Sequence, residues 1–214
     1  MIKTGTSFAN AAIGNDPLIL QDIHQQDKNI AIFHRDIDVL SEEISQLIPQ
    51  TIECRVSGSV AEIWDKLTTY AGQNLPQANA LLNDISENLT RFQRITKATS
   101  FRLLLATVST NMCRRFHTDI NYLRLLCTYA GPGTLWLPDE AANLTASRSG
   151  GNNQEIVIDE GQIQQVNTGD IVILKGALYP KANAILHRSP TIEQSGEKRL
   201  LLRIDASVDR DNWA

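Results

Sequence analysis

The rhythm of apolar positions along the chain changes near residue 99. Before it, apolar residues recur at helical spacing. Val39, Leu40, Ile44, Leu47 and Ile48 share one face of residues 38–48, and Ser41 with two glutamates stands at the start, so a helix is expected there. Ser59 is a good N-cap ahead of Val60, Ile63, Trp64 and Leu67, which predicts a second helix over 59–70. Pro76 suits a first helical turn and opens a third over 76–92, with Leu81, Leu82, Ile85 and Leu89 on one side. Asn29-Ile-Ala-Ile-Phe33 is the extended candidate of this half.

After Thr99 the apolar runs shorten and turn signals separate them. Strands are expected over 101–108, 113–120, 122–129, 134–137, 155–159, 162–167, 171–174 and 198–205. Gly131-Pro-Gly133, the polar Gly-rich stretch 147–153, Glu160-Gly161 and Gly169-Asp170 lie between them. Many short strands divided by turns predict a sandwich or a barrel. The expected organisation is a mainly helical layer over 1–98 and a β region over 99–214, in one compact unit without a separating linker.

Composition narrows the function classes. The 214 residues are 42% hydrophobic and 21% charged, ordinary for a globular protein, and the net charge of −4 argues against a broad nucleic-acid surface. No apolar run is long enough to span a bilayer, and Gly14-Asn-Asp-Pro17 breaks the N-terminal segment before a signal core forms, so a cytoplasmic protein is expected. Cys54, Cys113 and Cys127 are too few and too scattered for a disulfide framework, and the absence of a Cys-x-x-Cys pair argues against a zinc ribbon.

The candidate chemistry lies in the β half. In a strand, His117 and Asp119 point to the same face, so an imidazole and a carboxylate can meet one ion. His187 would complete a two-His, one-carboxylate set, which suits non-haem Fe(II), with zinc as the alternative. Arg199 and Arg203 share a face of the last strand, and either can hold a carboxylate bidentately. Cys113 and Cys127 read as small core residues before they read as soft ligands. His24 and His34 read as surface or packing residues. The plain alternatives are a backbone-bonded histidine, an aspartate capping a turn and solvated arginines.

Two resemblances add to this. Cys113-Arg-Arg-Phe-His-Thr-Asp119, Arg124-Leu-Leu-Cys-Thr-Tyr-Ala-Gly-Pro-Gly-Thr-Leu-Trp-Leu-Pro138, His187-Arg-Ser-Pro190 and Arg199-Leu-Leu-Leu-Arg-Ile-Asp205 resemble a bacterial family, domain of unknown function 1826, as does Asn29-Ile-Ala-Ile-Phe-His-Arg35. More distantly, the order His-x-Asp, Arg-to-Tyr strand, Gly-Asp strand, His-Arg and basic closing strand is similar to iron- and 2-oxoglutarate-dependent dioxygenases of the prolyl-hydroxylase kind. That resemblance implies an α+β fold: a double-stranded β-helix (a jelly-roll, cupin-like barrel) with the N-terminal helices packed against it. It implies Fe(II) on His117, Asp119 and His187, and 2-oxoglutarate near Tyr129 and either Arg199 or Arg203, twelve and sixteen positions beyond His187. Tyr122 is a second tyrosine candidate. The expected activity is oxidation of an unidentified small-molecule or protein substrate. The alternatives are a zinc- or iron-binding sensor of the same fold, and a cupin-like isomerase or small-molecule binder. Neither nucleic acid nor membrane is an expected partner, and the sequence specifies no oligomeric state.

Overall fold

The structure, a computed structural model, describes residues 8–181 and 183–207. Residues 1–7, where no signal segment is expected, and 208–214, the end of the expected β region, lie outside the described residues. The elements in order are β1 (Ala11–Gly14), β2 (Ile30–Phe33), α1 (Ser41–Leu47), β3 (Glu53–Gly58), α2 (Val60–Asn74), α3 (Asn79–Thr96), β4 (Phe101–Val108), β5 (Leu123–Ala130), β6 (Leu135–Trp136), α4 (Leu144–Arg148), α5 (Asn153–Ile156), β7 (Gln164–Gln165), β8 (Ile171–Lys175), β9 (His187–Arg188) and β10 (Arg199–Ala206).

Local chemistry sets the helix boundaries. Ser59 accepts from the Glu62 amide while the Glu62 carboxylate accepts from Ser59, a capping box that starts α2. α3 begins at Asn79, later than Pro76 suggests. The reason is tertiary: the Glu43 carboxylate of α1 accepts from the Ala80 and Leu81 amides, each at 2.9 Å. Two expected strands are absent. Over 155–159 the β-branched run loses to an Asn152/Glu155 capping box, which winds α5. Over 113–120 the run is mostly polar and forms one isolated bridge, His117 to His187. Its backbone bonds instead to the Asn153 side chain, which accepts from the Phe116 amide and donates to the Arg114 carbonyl.

A seven-stranded sheet has the order β1-β2-β8-β5-β10-β4-β3, antiparallel except for the β1–β2 pair. A three-stranded sheet has the order β7-β6-β9. From β4 onward the chain visits the large sheet at β4, β5, β8 and β10, and the small one at His117, β6, β7 and β9. The fold is therefore α+β with a large, mostly antiparallel sheet, and among the described residues no strand closes the two sheets on one another. The N-terminal region contributes more than helices, because β1, β2 and β3 extend the large sheet at both edges.

The alternation of side chains on β10 divides the molecule into two faces. Leu200, Leu202, Ile204 and Ala206 join Ile63, Leu67, Leu81, Ile85 and Phe92 of α2 and α3 in the principal core. Leu201 points the other way, into a second cluster with Leu126, Val172, Leu174, Trp136 and Ile185. Arg199, Arg203 and Asp205 share the parity of Leu201, so they too face away from the helices.

Candidate metal centre

The metal candidates are placed by backbone pairing. The His117 and His187 amides each donate to the other's carbonyl at 3.0 Å, which sets the two residues directly opposite. Their rings stand 4.6 Å apart between centroids. Each ring places Nδ1 against a carbonyl two residues earlier: Arg115 O at 2.9 Å for His117 and Ile185 O at 3.2 Å for His187. A carbonyl only accepts, so Nδ1 carries the hydrogen of each neutral ring, and Nε2 is left as the lone-pair nitrogen. Both Nε2 atoms face Asp119, His187 at 3.2 Å and His117 at 3.7 Å. The three ligand atoms lie within 4.8 Å of one another, and this is the one such group of His, Cys, Asp and Glu among the described residues.

Asp119 lies past the bridge, outside any strand, so its approach owes nothing to pleating. Its carbonyl accepts from the Ala177 amide at 2.7 Å, and the Tyr122 carbonyl accepts from Gly176 at 3.0 Å. A Cβ at Gly176 would stand 1.9 Å from Asn121 Oδ1, so only glycine lets the end of β8 pack against this loop. The Asp119 carboxylate accepts from Arg124 Nη1. Arg124 also grips Asp205, with Nε to Oδ1 at 2.6 Å and Nη2 to Oδ2 at 3.2 Å, and Asn121 Nδ2 donates to the same Oδ1 at 3.0 Å. Sequence reasoning missed this clamp. Its signal was a charge interrupting an apolar strand, at Arg124 and again at Asp205.

The electrostatics suit a cation. Burial works against ionisation of Asp119, but the two imidazoles and the Arg124 charge outweigh it and hold the carboxyl well below the usual range. The Asp119 carboxylate raises His117, against burial. The signs give a testable pH dependence. In the metal-free protein, His117 stabilises the fold fully below its unfolded value of about 6.5 and loses that contribution as pH rises through its higher folded value. Asp119 loses its contribution only as pH falls through the acid range, so it does not vary near neutrality. A metal needs the unprotonated ring. The gain in melting temperature on adding Zn(II) is therefore expected to be larger at about pH 8 than at about pH 6. An equal gain at both would contradict the His117 assignment.

The other candidates separate. Arg199 is 1% exposed, donates from Nη2 to Thr128 Oγ1 at 3.0 Å, and has no carboxylate partner among the described residues. Its Nε is buried without a hydrogen bond. Burial pushes its guanidinium down to about 10. Arg203 lies at the Arg124 clamp, with Nε 3.5 Å from Asp205 Oδ2. Tyr129 is not brought to the centre. It occupies a bulge opposite Leu200 and Leu201, packs in the helix-side core, and donates its hydroxyl to Asp84 Oδ2 at 2.6 Å. Tyr122 stacks on Tyr179. Cys113 is exposed rather than in the core. Cys127 is buried on the helix-side face, its thiol pushed up to about 12 mainly by burial. His24 and His34 pack, against Tyr179 and Asp170 respectively. No helix among the described residues is long and apolar enough to cross a membrane.

The fold has solved counterparts. Dioxygenase for auxin oxidation 1 from Arabidopsis thaliana, in complex with 2-oxoglutarate, superposes with a TM-score of 0.55 at 7% identity, over 94% of this chain and 93% of that one. A prolyl-4-hydroxylase from Pseudomonas putida gives a TM-score of 0.43 at 9% identity, over 89% and 97%. At these identities the first likeness establishes a shared fold and nothing more. No curated protein matches at the level of sequence. The family described as protein of unknown function (DUF1826) matches residues 14–205, nearly the whole described chain. The chain is thus a member of the DUF1826 family, with a fold like that of the Arabidopsis dioxygenase.

Proposed function

We propose that the protein is an Fe(II)- and 2-oxoglutarate-dependent oxygenase built on a double-stranded β-helix. The observation that carries this reading is the convergence of His117 Nε2, His187 Nε2 and an Asp119 oxygen. Two neutral imidazoles and one carboxylate suit Fe(II) and leave coordination positions for other ligands. With 2-oxoglutarate bound, such an iron supplies oxygen activation coupled to decarboxylation of the cosubstrate. The strands visited alternately after β4 support the β-helix.

The chain's own residues have separable tasks. The Arg115 and Ile185 carbonyls fix the ring tautomers, and Arg124 orients Asp119. Leu126, Trp136, Val172 and Leu201 pack as an apolar cluster between the sheets and keep water from that side. Arg199 is the better carboxylate anchor of the two arginines. It is a fully buried guanidinium without an anion, a costly arrangement that a bound carboxylate would relieve, whereas Arg203 already lies beside Asp205. The same observation favours an enzyme over a metal sensor, which would need no such anchor.

Arg199→Gln tests the reading. It is expected to leave iron content at the wild-type level, to weaken 2-oxoglutarate binding by about tenfold to a hundredfold, and to slow succinate formation accordingly. Wild-type affinity for 2-oxoglutarate in this variant, with Arg203→Gln weak instead, would move the anchor to Arg203. Wild-type protein that binds Fe(II) but neither binds nor consumes 2-oxoglutarate would refute the oxygenase.

A further inference from the structure

The apolar cluster between the sheets draws on β2, β5, β8 and β10 but on no residue of β3 or β4. On the same face of β4, Leu104, Ala106 and Val108 form a separate small cluster with Ile192. Toward the open end of this face the inward positions turn basic. Strand register places Arg55, Leu104, Arg203 and Leu126 in one row across four strands, and Ser57, Arg102, Asp205 and Arg124 in the next. These rows floor a cleft of about 390 Å³ lined by four arginines, Arg55, Arg102, Arg124 and Arg203, with Asp205 as its one acidic residue.

The four cations are not equally committed. Arg124 is held by Asp119 and Asp205. Arg55 reaches back to Glu53 at 2.8 Å, but both side chains are more than 60% exposed, and such a pair is weak. Arg102 has no ionic partner among the described residues. Arg203 has only Asp205, at 3.5 Å and shared with Arg124, its Nε makes no hydrogen bond, and burial together with the Arg124 charge lowers it. Two under-partnered guanidiniums therefore lie on adjacent strands, two positions apart in register and so on one face, in a cleft where another cation, Arg124, contacts the metal-site carboxylate. A solvated face would spread its arginines and interleave acids. Here the like charges crowd, at an energetic cost that an anion between them would remove.

We infer that this cleft holds the anionic end of the substrate, an oxyanion group gripped by Arg102 and Arg203 with Arg55 able to swing in. The word substrate rests on the oxygenase reading above; the anion site does not. Arg124 links the cleft to Asp119, and β4 is two strands from β5, a span on the order of 10 Å.

Isothermal titration of the metal-free full chain with inorganic phosphate and, separately, with succinate tests this at low salt. At least one oxyanion is expected to bind, and Arg102→Gln, an exposed substitution, is expected to weaken it about tenfold or more. Arg199→Gln should leave phosphate binding unchanged, which separates the cleft from the cosubstrate anchor, and succinate binding is assigned to the cleft only where Arg102→Gln weakens it. Tighter phosphate supports a phosphorylated substrate, and tighter succinate a carboxylate one. Absence of binding of either ion, or wild-type binding by Arg102→Gln, overturns the site. Binding that depends on Arg102 in a protein shown not to bind 2-oxoglutarate would overturn the substrate assignment.

Discussion

His187→Ala is expected to abolish stoichiometric metal binding, weakening Fe(II) or Zn(II) affinity by more than about a hundredfold. Losing an orienting partner beyond the ligands typically costs tenfold to a hundredfold, and losing a ligand removes more. The fold should survive. The His117–His187 bridge is made by backbone amides and carbonyls, which the substitution retains. The truncated side chain is polar, so the cavity it leaves can hold water in place of the ring. Metal content by elemental analysis, with far-UV circular dichroism as the control for folding, checks this. His117→Ala and Asp119→Ala should behave alike. An unfolded His187→Ala protein would indicate instead that the ring's role is structural.

Asp84→Ala is expected to give the largest loss of stability, about 3–5 kcal/mol. Asp84 of α3 joins the helices to the large sheet. It pairs with Arg35 through both carboxylate oxygens, accepts from Asn88 Nδ2 at 2.9 Å, and accepts the Tyr129 hydroxyl at 2.6 Å. The Arg35 and Asp84 side chains are only 14% and 13% exposed, so removing the carboxylate leaves a largely buried guanidinium without its ion partner. Arg35 Nε would keep only the Gly169 carbonyl, at 2.8 Å. Urea denaturation should show a lower midpoint at unchanged slope. Asp84→Asn, which keeps hydrogen-bonding capacity without the charge, should lose less. Replacing Asp84 and Arg35 together by leucine and methionine should recover much of the loss, because no unpaired charge remains. If the single variant is as stable as wild type, this network is not what fastens the helices to the sheet.

This second site marks where sequence reading ends. Arg35, Asp84 and Tyr129 are separated by 49 and 45 positions, and no local pattern couples them. Tyr129 therefore read as a ligand-binding residue by its place in a motif, while it shares the helix-side face of Leu125 and Cys127 and turns toward α3. Much of the fold was legible because it is local: α2 announces itself through Ser59 and Glu62, and β4, β5, β8 and β10 through runs of leucine, isoleucine and valine. Strand 113–120 failed because its backbone pairing stops at the contacts with His187 and Ser189, and on its other side the Asn153 side chain supplies the hydrogen bonds that a second neighbouring strand would supply. The parity argument for His117 and Asp119 assumed that strand. The two residues do converge, but through a bridge and a loop seated on Gly176. Arg199 and Arg203 share a face as alternation predicts, but their different partners, Thr128 for one and the Asp205 clamp for the other, become visible only in three dimensions.

The central claim is that one metal ion, held by His117, Asp119 and His187, accepts 2-oxoglutarate. Its most direct test is the visible absorption spectrum of the anaerobic protein titrated with Fe(II) and then with 2-oxoglutarate. A metal-to-ligand charge-transfer band that appears only when both are present, saturates at one equivalent of iron and is absent in His187→Ala is the predicted result. Full iron loading with no band at saturating 2-oxoglutarate, or an undiminished band in His187→Ala, would contradict the account.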